Sequence, residues 1–334
     1  MIHARGLAAT FVTGKGKNQR EVRAVAGVDL DIAEGEVVGF LGPNGAGKTT
    51  TLRMLTTLLR PTAGTATVNG FDVVTESVQV RRSIGYVSQM GSTFSQALAG
   101  DEVADHGQLY GMSRRDAVAR GKELFSQLQL DGLWDRMPKN MSGGQRRRLD
   151  IAMGLIHDPT LVFLDEPTTG LDPQARANLW EHIAKLRTER GATVFLTTHY
   201  LDEADALSDR IIIIDNGVIV AADTPENLKS QVSGDLVHLE FTAAGPVAHA
   251  AQRLEQVGAT EIEAAGFGVR ARLRGSAKVI PGLLRDLESA GDTLDSIEIM
   301  RPTLDDVFLT LTGRSLRDAE AGADTEEVSD EIPA

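Results

Sequence analysis

The stretch "GEVVGFLGPNGAGKTTTLRML" constrains the fold more than any other part of the chain. An apolar strand, Val37–Leu41, runs into a glycine-rich turn. A helical pattern follows, with Leu52, Leu55, Leu58 and Leu59 on one side,. Residues 42–49 fit the spacing G-x-x-x-x-G-K-[ST],. Gly42, Gly45 and Gly47 let the backbone curl around Pro43, Asn44 and Ala46 until successive N–H groups face one point,. The helix that starts near Thr50 aims its positive end at the same point. That geometry suits phosphate. Lys48 can reach outer phosphates, and Thr49 is placed to ligate Mg²⁺,. A glycine turn with no ligand is the plain alternative, and the flanking strand and helix argue against it.

Three more apolar strands end in polar residues. In "LVFLDEPTTGLD" a buried strand ends in Asp165 and Glu166. Ligands of open α/β sheets sit at such carboxyl ends. Asp165 would hold Mg²⁺ through water, and Glu166 would orient or deprotonate an attacking water. In isolation the two acids would read as solvated. Beside a phosphate loop they read as a site. "TVFLTTH" ends in His199 and "YVSQ" in Gln89, each placed to meet the γ-phosphate side, with Gln89 also a candidate metal ligand. The strand-and-helix order predicts an α/β fold with a P-loop (RecA-like) core. A helical block interrupts it at about 91–157,.

A second glycine-rich helix start, "MSGGQRRRLDIA", lies far downstream. Ser142 is a good N-cap, Gly143 and Gly144 carry no side-chain bulk, and Gln145 opens the helix,. It too could bind phosphate through backbone donors, but the first loop already holds the near side. P-loop sites need positive charge on the far side of the γ-phosphate, an element that contributes about 10³–10⁵ in rate. If the helical block projects away from its own loop, this helix end serves another copy. Two chains would then enclose two ATP molecules head to tail.

Composition limits the remaining choices. The chain has 334 residues, 42% of them hydrophobic, enough for two cored domains,. No run approaches the roughly 18–20 apolar residues of a membrane span, and "RIIIIDNGVIVAA" reads as two strands around an Asn-Gly turn,. There is no cysteine and no apolar leader in "MIHARGLAATF",, so the cytoplasm is the expected compartment. The net charge of −13 makes duplex nucleic acid a poor partner. Short basic clusters, such as Lys15 and Lys17 or Arg146, Arg147 and Arg148, read as solvated faces. After Leu316 the chain is acidic and reads as a disordered tail,.

"GPNGAGKTT", "YVSQ", "MSGGQRRRLDIA", "LVFLDEPTTGLD" and "TTH", in this order, resemble the nucleotide-binding subunit of an ABC transporter. "MSGGQ" is similar to that family's LSGGQ signature, with Met141 for the usual Leu. "GLD" is similar to the D-loop that crosses the dimer interface, which makes Asp172 a site residue. The resemblance implies ATP-driven dimerisation and hydrolysis at two composite sites. It also implies an adenine-stacking aromatic, for which Phe11 is the nearest equivalent.

The ending "RPTLDDVFLTLTGR" resembles that of daunorubicin/doxorubicin-resistance-type exporter ATPases, as do "QLYGM" and "RRRLDIAMGLIHDP". Gln145 departs from the Met common in that subgroup. The resemblance implies an exporter ATPase working with a second copy of itself and a separate ABC-2-type membrane permease, at the cytoplasmic face of the membrane. Residues 90–100 are the expected contact surface for that permease. The cargo would be a drug, lipid or other amphiphile. Rival expectations are a soluble ABC ATPase acting on ribosomes or nucleic acid, an importer ATPase, and a regulator with degenerate motifs. The expected domains are 1–230 for the ATPase, 231–313 for a small α+β accessory domain of strand–helix–hairpin–helix–strand–helix order, and 314–334 for the tail.

Overall fold

The computed structural model describes residues 1–14, 19–94, 96–232 and 234–316. Lys15, Lys17, Ser95 and the acidic tail from residue 317 onward lie outside the described residues. The chain divides into two compact units, one holding Met1–Pro225 and the other Glu226–Ser315.

The first unit is built on a six-stranded sheet. Its strands run, edge to edge, Val218–Asp223, Arg210–Asp215, Val37–Leu41, Thr193–Thr198, Leu161–Asp165 and Ile84–Val87. All neighbours are parallel except the first pair, a hairpin. Val37–Leu41, Leu161–Asp165 and Thr193–Thr198 are buried at every residue, as expected of parallel strands covered on both faces,. Phe40, Phe195 and Phe163 pack across three of them as tilted ring pairs, with centroids 5.4 and 5.6 Å apart. Asn216 and Gly217 close the hairpin with φ of 49° and 76°, the two left-handed positions of a tight turn whose twist matches the strands,.

A second, antiparallel sheet orders Arg20–Ile32, Ile2–Thr13, Ala63–Val68 and Phe71–Asp72. Its two long strands are absent from the sequence-based expectations, although a signal exists. Buried Val28, Leu30 and Ile32 alternate with exposed Asp29 and Asp31,. Another expectation is corrected after the phosphate loop. The helix there covers only Lys48–Leu55, so Leu52 and Leu55 are buried while Leu58 lies beyond it and is exposed.

The helical block comprises Ala99–Leu109, Arg114–Gln127, a short turn at Pro138–Asn140, and Gly143–Leu155. It leaves the chain after Ile84–Val87 and returns at Leu161–Asp165, which are sheet neighbours. The second unit has the expected order, with strands Asp235–Phe241, Thr260–Ala265, Gly268–Leu273 and Leu294–Met300. They form one antiparallel sheet in the spatial order fourth, first, third, second, a ferredoxin-like arrangement,. Val237, Leu239, Phe241, Val269 and Ala271 pack there with Ala250, Leu254, Leu283 and Leu287 of helices Gly245–Gln256 and Ser276–Ser289. Among the described residues, no helix is long and apolar enough to cross a membrane.

Phe195 sits between two aromatic neighbours and is fully buried. Phe195→Ala should cost about 3–5 kcal/mol. Both tryptophans of the chain, Trp134 and Trp180, lie in the first unit. Urea denaturation followed by tryptophan emission therefore reads this unit, and an unmoved midpoint would refute the packing.

Candidate nucleotide site

Parallel register brings the strand ends together. Leu41 pairs with Thr198, Asp165 with Thr197, and Val87 with Leu164. The residues just beyond these strands, from Gly42, Glu166, His199 and Ser88 onward, therefore emerge along one edge.

The glycine-rich loop is wedged against backbone. A Cβ on Gly42 would stand 2.2 Å from Ile214 O, and one on Gly47 would stand 2.5 Å from Ala24 O, at a φ of +102°. Both positions exclude a side chain. Gly217 N donates to Ala46 O at 3.0 Å, and Ala26 N donates to Gly217 O at 2.8 Å. The tight hairpin turn thus pins the loop to the second sheet.

Lys48 is buried, and its Nζ donates to Gly42 O at 2.8 Å and Pro43 O at 3.0 Å. It also stands 3.5 Å from Glu166 Oε1. Glu166 accepts from Gln89 Nε2 at 2.9 Å and from Thr169 Oγ1 at 3.2 Å, both at Oε2. His199 Nδ1 lies 3.3 Å from Glu166 Oε1, an ion-pair distance without hydrogen-bond alignment. Glu166 has a φ of +43°, a left-handed conformation unusual for a side chain of this kind,. Its N–H reaches Thr197, bonding Oγ1 at 3.0 Å and O at 3.2 Å. That tie to the neighbouring strand holds the strained residue in place.

Asp165 Oδ1 accepts from Thr49 Oγ1 at 3.0 Å and from Thr197 Oγ1 at 2.7 Å. Thr49 and Asp165 thus converge, while the Gln89 amide nitrogen turns to Glu166. A hydroxyl, a carboxylate and an amide oxygen form a hard-oxygen set that fits Mg²⁺ with phosphate oxygens. Among the described residues, no cluster of three or more His, Cys, Asp or Glu could hold a metal alone. An ion at Thr49 and Asp165 would complete its shell with water or phosphate oxygens.

Residues 142–145 form a capping box. Ser142 Oγ accepts from Gln145 N at 3.2 Å, and Gln145 Oε1 accepts from Ser142 N at 2.9 Å,. That leaves the Gly143 and Gly144 N–H groups as the first-turn donors without an intrahelical partner. Nothing stands within 4 Å of a Cβ built on Gly143, whereas one on Gly144 would be 3.1 Å from Ala175 Cβ. Asp172 caps helix Pro173–Arg190 by accepting from Ala175 N at 2.9 Å. Phe11 is 39% exposed, so it is not a core aromatic. It pairs with Val22 on the hairpin whose Ala24 meets the loop.

A family model described as ABC transporter matches residues 25–169. Over 313 residues the chain is 41% identical to the daunorubicin resistance ATP-binding protein DrrA3 of Streptomyces coeruleorubidus, covering 94% of this chain and 98% of that protein. The chain belongs to the ABC transporter ATP-binding proteins. This ABC ATPase is also 34% identical to the linearmycin resistance ATP-binding protein LnrL of Bacillus subtilis, over 88% of this chain and 95% of that one. Among solved structures it is similar to a dimeric ATP-binding cassette in a post-hydrolysis state bound to ADP and Pi. The TM-score is 0.61 and the identity 27%, over 67% of this chain and 98% of that chain.

Three features of the ABC ATPase site escape sequence reasoning. Thr197, in "TTH", and Thr169, in "PTTG", hold the carboxylates through hydroxyls, a signal present in the motifs but not distinctive. Arg147 contradicts the expectation of a solvated basic cluster. It is buried, whereas Arg146 is exposed and Arg148 half-buried. A run of three arginines does not reveal which one turns inward.

Burial alone would push the Glu166 carboxyl above its ordinary 4.5, but His199 and Lys48 more than offset this and hold it at about 2,. The stability lent by the ionised form is fully present above pH 4.5 and is lost as pH falls through about 2,. Lys48→Met removes the ammonium that stands 3.5 Å from Glu166 Oε1. The Glu166 titration, followed by carbon-13 NMR of labelled glutamate, should then move upward. A titration that stays in place would remove Lys48 from this balance.

Proposed function

We propose that this ABC ATPase drives an exporter, hydrolysing ATP to move a drug, lipid or other amphiphile through a separate ABC-2-type membrane permease. The observation that carries the reading is kinship along nearly the whole chain with proteins named for daunorubicin and linearmycin resistance. It extends past the cassette into the second unit, so more than ATP chemistry is shared. Soluble and importer readings lack such support. The permease would hold the chain at the cytoplasmic face of the membrane. Met90 and Phe94, 93% and 78% exposed just after Gln89, offer apolar side chains for that contact.

In this reading two copies enclose two nucleotides. The neighbouring solved cassettes are dimeric, which supports the pairing. The loop of one chain, including Lys48 and the residue 42–50 backbone, receives the phosphates. The Gly143 and Gly144 donors of the other chain meet the γ-phosphate from the far side, with Ser142 and Gln145 shaping that helix end and Asp172 lying between. Phe11 would stack on adenine. Mg²⁺, held by Thr49, Asp165 and Gln89, would neutralise charge on the phosphates. Glu166 takes the proton from water as its oxygen bonds to the γ-phosphorus and the bridging oxygen leaves with ADP. His199 faces the same phosphate. A carboxyl held near 2 is a weak base,. Lys48, on leaving Glu166 for a phosphate, takes a cation away and makes Glu166 a better one.

Glu166→Gln is expected to lower turnover by about 10²–10⁴-fold while ATP binding persists. Isolated from native membranes with ATP, that variant should bring an equal amount of a polytopic membrane protein. Recovery of ribosomes, nucleic acid or no partner would defeat the exporter reading. Ser142→Arg should act on the opposite chain's site. Mixed dimers that lose the mutated chain's own site instead would overturn the composite arrangement.

A further inference from the structure

Arg147 is 7% exposed, on helix Gly143–Leu155, and its guanidinium reaches four main-chain carbonyls. Nε donates to Pro167 O at 2.7 Å, and Nη2 donates to Asp165 O at 3.0 Å and Glu166 O at 3.3 Å. Nη1 donates to Ser88 O at 2.5 Å. These acceptors are the residues that carry and flank Glu166 and the residue immediately before Gln89. One turn further along the same helix, Asp150 Oδ1 accepts from Ser92 N at 2.8 Å, on the other side of Gln89. Gln89 itself donates to Glu166 Oε2. One helix therefore grips both sides of Gln89 and the whole turn that bears Glu166.

The choice of residue is informative. A guanidinium carries its donors in a rigid planar fork, and no other side chain can satisfy carbonyls from two separate segments at once in this way. All the bonds are to neutral carbonyls, with no carboxylate bonded to it among the described residues. Burying a charge without a bonded counter-ion is costly. Here the carbonyls of two segments take up its donors, and the charges of Asp150, Asp165 and Glu203 act in its favour.

We infer that Arg147 is a positioning residue for hydrolysis, fixing the Glu166 turn and Gln89 relative to each other. The inference rests on the roles given above to Glu166 and Gln89. It makes the arginine act through those residues, with no contact to nucleotide.

The test uses the full chain with Arg147→Gln and Arg147→Lys, measuring steady-state hydrolysis and binding of a fluorescent ATP analogue. Displacement of a reacting group by about 1 Å can cost about a hundredfold. Arg147→Gln should therefore lower kcat by about tenfold to a hundredfold while the nucleotide Kd stays within about threefold. Arg147→Lys, which keeps the charge and part of the donor set, should fall between Gln and Arg. In a Glu166→Gln background, Arg147→Gln should still form the ATP-dependent dimer. A folded Arg147→Gln protein with kcat within twofold of the parent would overturn the inference. So would loss of Kd and of the tryptophan-monitored melting temperature in step with kcat, in both variants, because the arginine would then serve folding alone. If Glu166→Gln by itself keeps turnover, the role of Glu166 has failed, and the Arg147 kinetics still report separately.

Discussion

The register of the parallel strands is the constraint on which the site depends. Val37–Leu41, Leu161–Asp165 and Thr193–Thr198 are buried on both faces, so no inside-outside alternation marks where each should stop. The polar groups at their ends supply that mark. Thr197 binds both Asp165 and the Glu166 N–H, which fixes one strand against the other at the last rung. A slip of one residue would reverse the side of every side chain beyond it. The phosphate loop, the acids and the histidine are thus aligned by the ladder that builds the core.

Around that edge, charge is arranged so that no member is independent. Lys48 faces loop carbonyls and Glu166, and Glu166 faces Lys48, His199, Gln89 and Thr169. Beneath them, Arg147 holds the main chain of Asp165, Glu166 and Pro167. In a low-dielectric setting each charge alters the rest strongly. A phosphate that draws Lys48 away therefore changes the proton affinity of the acid it leaves. The left-handed backbone at Glu166 survives because the surrounding bonds over-determine it,.

The motifs were legible because their chemistry is local. The "GPNGAGKTT" loop, the acids ending "LVFLD" and the tight Asn-Gly turns all announce themselves within ten residues of sequence. The order of elements in the second unit was equally plain, because its strands are short and alternate with amphipathic helices. What stayed hidden depends on distant packing. Nothing in "QRRRLD" states that the middle arginine meets carbonyls from residues 88 and 165–167. The left-handed φ of Glu166 has no compositional mark, since the usual glycine or asparagine is absent. The long N-terminal hairpin is marked by alternation at Val28, Leu30 and Ile32, but its pairing with Ile2–Thr13 depends on a bulged register that local sequence does not encode.

The helical block departs and returns between two strands that hydrogen-bond directly to each other. In topological terms it is an excursion, and the sheet is closed beneath it. Changes on its outer surface need not disturb a single rung of the ladder. The inward-facing Arg147 and Asp150 are the block's fixed points. The outer face of the block is thereby uncoupled from the pairing of the strands that bracket it.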